Sequence, residues 1–164
     1  MINGSKYEIT FKVYSRFKDY KVKQRINSYS FTEISDFISQ EELPSTISKA
    51  DFLFLPLSFE KRLKYIRLSM PTKTAEYMAS GVPVIIYAPT YTALYQYSKN
   101  YNWGFTISTN EKGKVKKELI RFIEDGKMQS ILSENAKKLV REKHDIRKNK
   151  ERFDNLIIEN KKIK

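Results

Sequence analysis

The chain has 164 residues, with 31 Lys or Arg against 19 Asp or Glu, one His and no Cys, for a formal net charge of +12. That length suits one domain or one layer of a larger enzyme, and a chain of 40% hydrophobic and 30% charged residues is too apolar to stay disordered. The lack of cysteine excludes a disulfide framework, a thiolate nucleophile and a cysteine zinc site, and the lone His144 has no partner for a histidine-rich metal site.

Residues 7–14 (YEITFKVY) alternate in period 2 and predict a strand. The stretch 17–30 is polar and gives no clear period; a short strand over 28–31 fits, with Thr32 then capping a helix over 33–39. A second short helix is expected over 43–48, started by Pro44. The compact apolar run 51–56 predicts a buried strand, followed by a Lys- and Arg-rich loop over 57–70. A helix over 71–80 has Pro71 at its first position and Gly81 as a left-handed cap. Residues 83–87 (PVIIY) predict a buried strand, 92–99 a helix and 103–108 a further strand. Apolar faces marked by Val115, Leu119, Ile120 and Ile123, and by Met128, Ile131, Leu132, Ala136, Leu139 and Val140, predict two helices broken at Asp125-Gly126. A last helix is expected over 146–158.

Strands alternating with helices predict an α/β fold, a Rossmann-like parallel sheet with helices on both faces. The expected organisation is a domain over 1–145 followed by a basic helix or tail over 146–164. In such sheets ligands bind beyond the carboxyl ends of strands, here the loop after 52–56 and the helix that it feeds. No GxGxxG or Walker A pattern occurs among the five glycines, which excludes those dinucleotide and P-loop sites.

The positive charge is uneven. Lys6, Lys12, Arg16, Lys18, Lys21, Lys23 and Arg25 face only Glu8 and Asp19; Lys61, Arg62, Lys64, Arg67 and Lys73 face only Glu60; and the tail from Lys137 is also basic. Such clusters concentrate nucleotides, nucleic acid or acidic lipid, and they equally suit a solvated surface, so charge alone does not choose a partner. The longest apolar runs, 52–57 and 82–88, fall far short of the roughly 20 residues of a membrane span. The opening MINGSKYEITFKV lacks a signal-peptide apolar region, so the protein is expected to be soluble and cytoplasmic.

The chemistry concentrates in 69–86, SMPTKTAEYMASGVPVII. A helix starting near Pro71 leaves free amides and a partial positive charge, an anion site to which Ser69 and Thr72 can add hydroxyl donors. Lys73 brings a full charge in the first turn, and Glu76, three residues on, lies near the same face. The cation can hold a diphosphate and the carboxylate can accept both hydroxyls of a ribose. A surface i,i+3 ion pair worth about 0.2–0.5 kcal/mol explains the same spacing, and spacing alone leaves the two readings even.

The segments ADFLFLP, SMPTKTAEYMASGVPVIIYAP and NWGFTIS, with NAKKLV and HD behind them, resemble the carboxyl-terminal domain of the group 1, retaining, GT-B-fold glycosyltransferases over residues 50–145. The resemblance implies a nucleotide-diphosphate sugar donor, UDP- or GDP-linked, with no separate cofactor. It also implies an acceptor sugar or lipid-linked glycan held by an amino-terminal domain, in cell-surface polysaccharide or glycolipid assembly. The position of Glu76 then binds the nucleotide ribose, Thr72 and Lys73 lie against the nucleotide or its diphosphate, and the loop carrying Ser58, Arg67 and Ser69 approaches the sugar and phosphates. Lys73 and Glu76 are the expected catalytic pair.

Three departures from the family pattern stand out. Leu68 occupies the position of a frequent first glutamate; nothing matches the family's opening strand and helix or its acceptor domain; and VYSRFKDYK replaces a Gly-rich turn after 7–14, with Arg16 or Lys18 as substitute phosphate contacts or solvated surface. The implied mechanism is metal-free, since no Asp-x-Asp pair occurs, and the growing charge on the diphosphate falls to Lys73, the helix start and Arg62 or Arg67. No general base is evident; Glu60 is equally an exposed loop acid. The competing expectations are a basic module for nucleic acid or an anionic membrane surface, peripheral at the inner membrane face, and a non-catalytic interaction domain on the same fold. No nucleic-acid motif supports the first of these. Tyr91, Tyr95 and Tyr97 follow the 83–87 strand and are expected to pack, with a cleft-lining role open to one of them.

Overall fold

The computed structural model describes residues 7–16, 18–60 and 64–161, so Arg62, Lys61 and Lys6 lie outside the described residues. The chain separates into two compact units, Met1–Thr46 and Ile47–Lys164.

In the first unit, β1 (Phe11–Tyr14) and β2 (Thr32–Ser35) pair in parallel, with Phe11 opposite Thr32 and Tyr14 opposite Ser35. Between them runs α1 (Tyr20–Asn27), capped by Asp19, whose carboxylate accepts from the amides of Lys21 (2.8 Å) and Val22 (3.4 Å). This helix falls in the stretch that the sequence left without a period. Thr32 does not cap a helix over 33–39, and no strand forms over 28–31. Its hydroxyl donates to the carbonyls of Ile26 (2.6 Å) and Tyr29 (2.8 Å), closing the turn after α1 and releasing TEIS as a strand with alternating exposure. The short helix α2 (Leu43–Ile47) is started by Ser39 and Glu42 rather than by Pro44. Ser39 Oγ accepts from the Glu42 amide (3.2 Å) while Glu42 Oε2 accepts from the Ser39 amide (3.2 Å), a reciprocal capping box. These bonds from Ser39, side chain first, hold the Glu42 carboxyl below its ordinary pKa.

The second unit holds a three-stranded parallel sheet in the order β3 (Leu53–Pro56), β4 (Val84–Tyr87), β5 (Phe105–Ile107). Leu53 pairs with Val84, Pro56 with Tyr87, and Ile85 with Phe105. Successive side chains of β4 serve opposite faces, which is why VIIY is apolar without alternation. Val84 and Ile86 enter a core with Leu53, Leu55, Met78, Leu94, Trp103, Ala136 and Leu139, while Ile85 joins Phe105, Ile107, Phe122 and Leu132. Helices therefore cover both faces: α3 (Thr74–Ser80), α4 (Ala93–Tyr101) and α6 (Gly126–Lys143) supply the first cluster, while α5 (Lys112–Glu124), with the amino-terminal half of α6, supplies the second. Burying each large apolar side chain contributes about 1.5–3 kcal/mol, and Trp103, Phe122, Met78 and Ile86 are all fully buried.

The local stops follow the sequence. Gly81 takes φ 81° as the left-handed cap of α3, and Thr92 caps α4 by accepting from the Tyr95 amide (3.4 Å). Asp125 ends α5 and caps α6 through the Met128 amide (2.8 Å). A final helix, α7 (Ile146–Lys161), follows Asp145. Within the expected loop 57–70, a 3-10 helix (Lys64–Leu68) forms because Ile66 is buried and pins the segment.

Candidate active site on the β3 to α3 connection

Parallel pairing fixes where this connection sits. Leu53 donates to the Pro83 carbonyl (2.9 Å), so the chain entering β4 lies beside the start of β3, and α3, about 10 Å long, runs down to that point from the side of the carboxyl ends of the strands. The first turn of α3, residues 57–73 and the β4–α4 connection thus share the sheet edge where α/β ligands bind. At that edge the Leu57 amide donates to the Tyr87 carbonyl (2.8 Å), and the rings of Phe59 and Tyr87 meet at 4.8 Å.

The start of α3 differs from the expected one. Pro71 is not the first helical residue: its carbonyl receives both the amide (2.9 Å) and the hydroxyl (2.6 Å) of Thr74, making a turn over Thr72 and Lys73. The first i to i−4 bond runs from the Tyr77 amide to the Lys73 carbonyl (2.9 Å), and Lys73 is the N-cap. The Thr74 amide is satisfied inside the turn and is not available to an anion.

Lys73 makes no side-chain capping bond. Its positive charge also stands at the positive end of the helix, where an acidic side chain would stabilise α3. Lys73 and Glu76 are both exposed, and among the described residues neither takes part in an ion pair. The i,i+3 pair that would account for their spacing is not made. Beneath them Thr74 and Met78 are buried, so the helix presents Lys73 and Glu76 outward on an anchored face. The neighbouring Tyr77 hydroxyl has its pKa pushed up, by burial first and then by the Glu76 charge.

The other expected residues lie along the same connection. Ser58 is exposed and its hydroxyl accepts from the Glu60 amide (3.1 Å), shaping the exit from β3. Arg67 is exposed on the 3-10 helix, and Ser69, half-buried, donates its amide to the Ile66 carbonyl (3.1 Å). Thr72 is exposed in the turn. Thr72, Lys73 and Glu76 are thus brought together by one helix start, whereas Ser58, Arg67 and Ser69 share its connection without a hydrogen bond or ion pair to them among the described residues. Leu68 is 82% exposed in the same segment.

The tyrosines divide. Tyr95 and Tyr97 pack against the core cluster, and Tyr91 is exposed in the β4–α4 connection beside Thr90. A cavity of about 490 Å³ lies elsewhere, at the amino end of β5, between Lys99, Arg121 and Met128. Arg121 is committed there to Glu118 (2.7 Å) and to the Phe105 ring (5.2 Å). That end of the strands is opposite to the edge carrying Lys73 and Glu76. Among the described residues no three His, Asp or Glu side chains gather as a metal site, and no helix is long and apolar enough to cross a membrane.

The model of the family described as glycosyl transferases group 1 matches residues 18–139. The chain belongs to the group 1 glycosyl transferases. No curated protein matches it. The match spans both units of the fold, and with the parallel sheets and flanking helices it makes this a carboxyl-terminal, Rossmann-like domain of the GT-B type. Glycosyl transfer accordingly requires a sugar donor and an acceptor.

Proposed function

We propose that this glycosyltransferase domain holds a nucleotide-diphosphate sugar, UDP- or GDP-linked, on the connection between β3 and α3. Transfer proceeds with retention, without a metal, to an acceptor sugar or lipid-linked glycan presented by an amino-terminal domain, on the cytoplasmic side of the membrane. The observation carrying the proposal is the pair of exposed charges at the start of α3 that make no ion pair among the described residues, where the Lys73 charge opposes the helix dipole. Such a local violation is expected where function sets the residue.

In this reading the Lys73 ammonium faces the diphosphate, on which negative charge grows as the glycosidic bond to the leaving group breaks. A fixed cation there stabilises the transition state more than the ground state. Arg67 adds a second charge from the 3-10 helix. Glu76, acceptor-only when ionised, takes both ribose hydroxyls and fixes the nucleotide so that its phosphates meet Lys73. Ser58, Ser69 and Thr72 supply hydroxyls to phosphate or sugar oxygens. The organisation into a donor domain over 1–145 with a basic extension over 146–164 is part of the same proposal.

Thermal unfolding with millimolar UDP or GDP tests it. A raised midpoint in the wild type that disappears in Lys73→Ala and Glu76→Ala supports donor binding here. No shift with any nucleoside diphosphate rejects it.

A further inference from the structure

The donor reading makes no use of the cavity of about 490 Å³ at the amino end of β5. Its volume is that of a small-molecule site, roughly 300–1,000 Å³, and its lining combines two chemistries. Met128, Ile131 and Leu132 share one face of α6 and form an apolar wall, in which Ile131 is still 47% exposed. Lys99 from α4, Arg121 from α5 and Lys127 from α6 bring positive charge, and the one acid in the lining is Asp125.

Each charge is held differently. Asp125 is committed to capping α6 through the Met128 amide (2.8 Å). Arg121 is fixed in place by Glu118 and the Phe105 ring, yet a guanidinium has five N–H donors and this ion pair is made through one nitrogen. Lys99 and Lys127 make no ion pair among the described residues. Lys99 stands in the last turn of α4, where a cation suits the helix. Lys127 has no such reason: it stands in the first turn of α6, a turn without an acid, and opposes the helix dipole. Three cations around one concavity raise the local concentration of anions, and an anion seated there relieves their mutual repulsion.

The cations arrive from three separate helices, an arrangement that suits the oxygens of a tetrahedral phosphate better than a planar carboxylate. The apolar wall beside them asks for a ligand with a body as well as a charge. We propose that this cavity binds a small phosphate monoester with an apolar body, its phosphate held by Lys99, Arg121 and Lys127 and its body laid against Met128 and Ile131. The inference is independent of donor binding, since it uses no residue of the β3 to α3 connection.

Titration of the isotope-labelled full chain with naphthyl phosphate, followed by amide NMR, tests it. Saturable shifts should centre on Gly104, Thr106, Lys127 and Met128. Inorganic phosphate, which has no body, and naphthoate, which has no phosphate, should both bind more weakly. Lys99→Gln/Lys127→Gln should weaken naphthyl phosphate about tenfold, since one cation about 4 Å from a phosphate charge is worth roughly fivefold even in water. Ile131→Ser should weaken naphthyl phosphate about threefold and leave inorganic phosphate unchanged, because only the ester loses apolar contact. These variants alter exposed side chains, so an unfolding midpoint no lower than that of the wild type confirms that they remain folded. The proposal is overturned by the absence of saturable shifts around the cavity, or by binding indifferent to Lys99→Gln/Lys127→Gln. Shifts confined to Lys73 and Glu76 overturn it too, as does a preference for inorganic phosphate or naphthoate over the ester.

Discussion

Gly104 sits so close to Ile86 that a β-carbon added to it would lie 2.7 Å from Ile86 Cδ1. Ile86 is fully buried in the middle of β4, and Ser98, 3.2 Å from the same point, already donates its hydroxyl to the Gly104 carbonyl (3.0 Å). The whole NWG segment has this structural logic. Asn102 takes the left-handed turn that ends α4 (φ 48°), and Trp103 is fully buried between α4 and α6.

Gly104→Ala should therefore overpack the first core cluster and destabilise the domain by about 1–3 kcal/mol. Urea unfolding followed by Trp103 fluorescence reads this directly. An unchanged midpoint would mean that Ile86 can yield.

Lys73→Ser should do the reverse. The substitution removes a charge at the unfavourable helix end, worth about 0.3–1 kcal/mol; the backbone of residue 73 is helical (φ −72°, ψ −5°), so the serine hydroxyl gains no side-chain cap there. The variant should be more stable yet bind nucleoside diphosphate less tightly. Unfolding and binding measured on one preparation would expose that opposition; loss of both would make Lys73 a structural residue.

Local chemistry explains which elements were legible in the sequence. Gly81, Thr92 and Asp125-Gly126 act within a turn of themselves, and VIIY reads as buried because both of its faces are covered. Thr32 misled because its hydroxyl has two plausible uses, and contact with the end of α1 decides between them. The Ser39–Glu42 box has the S-x-x-E spacing of a helix start, two residues ahead of Pro44 at its acidic end. The 3-10 helix could not be foreseen, since it depends on the burial of Ile66 by distant residues. At the candidate site the Lys73–Glu76 spacing was legible. The turn over Pro71 and the lack of a Lys73–Glu76 pair were not, because each turns on backbone and side-chain geometry that spacing leaves free.

Tyr97→Phe should weaken the joint between α4 and the end of α6. The Tyr97 hydroxyl lies 2.7 Å from His144 Nε2, and burial, then the neighbouring Tyr101, holds its pKa up, so it stays protonated. Losing one such bond costs about 0.5–1.5 kcal/mol. Since His144 is exposed and water can replace its partner, a thermal shift at the low end is expected.

Asp145 should make the start of α7 sensitive to acid. Its carboxyl is held below the ordinary aspartate pKa by the amides of Arg147 and Lys148, with a smaller effect of their charges. A lowered native pKa means that stabilisation is fully present above the ordinary aspartate range and is lost as pH falls through the lowered value. Helical circular dichroism should decline over that acidic window. Asp145→Asn, still a capping residue, should flatten the decline, and Asp145→Ala should lower helicity even near neutrality.

The most direct measurement is a titration calorimetry cycle crossing wild type and Glu76→Ala with UDP and 2′-deoxy-UDP, repeated with the GDP pair. If Glu76 holds the ribose, removing either the carboxylate or the 2′-hydroxyl weakens binding, and removing both adds little to the larger single loss. Equal affinity of the wild type and Glu76→Ala for the ribonucleotide would contradict the placement of a nucleotide sugar on this helix.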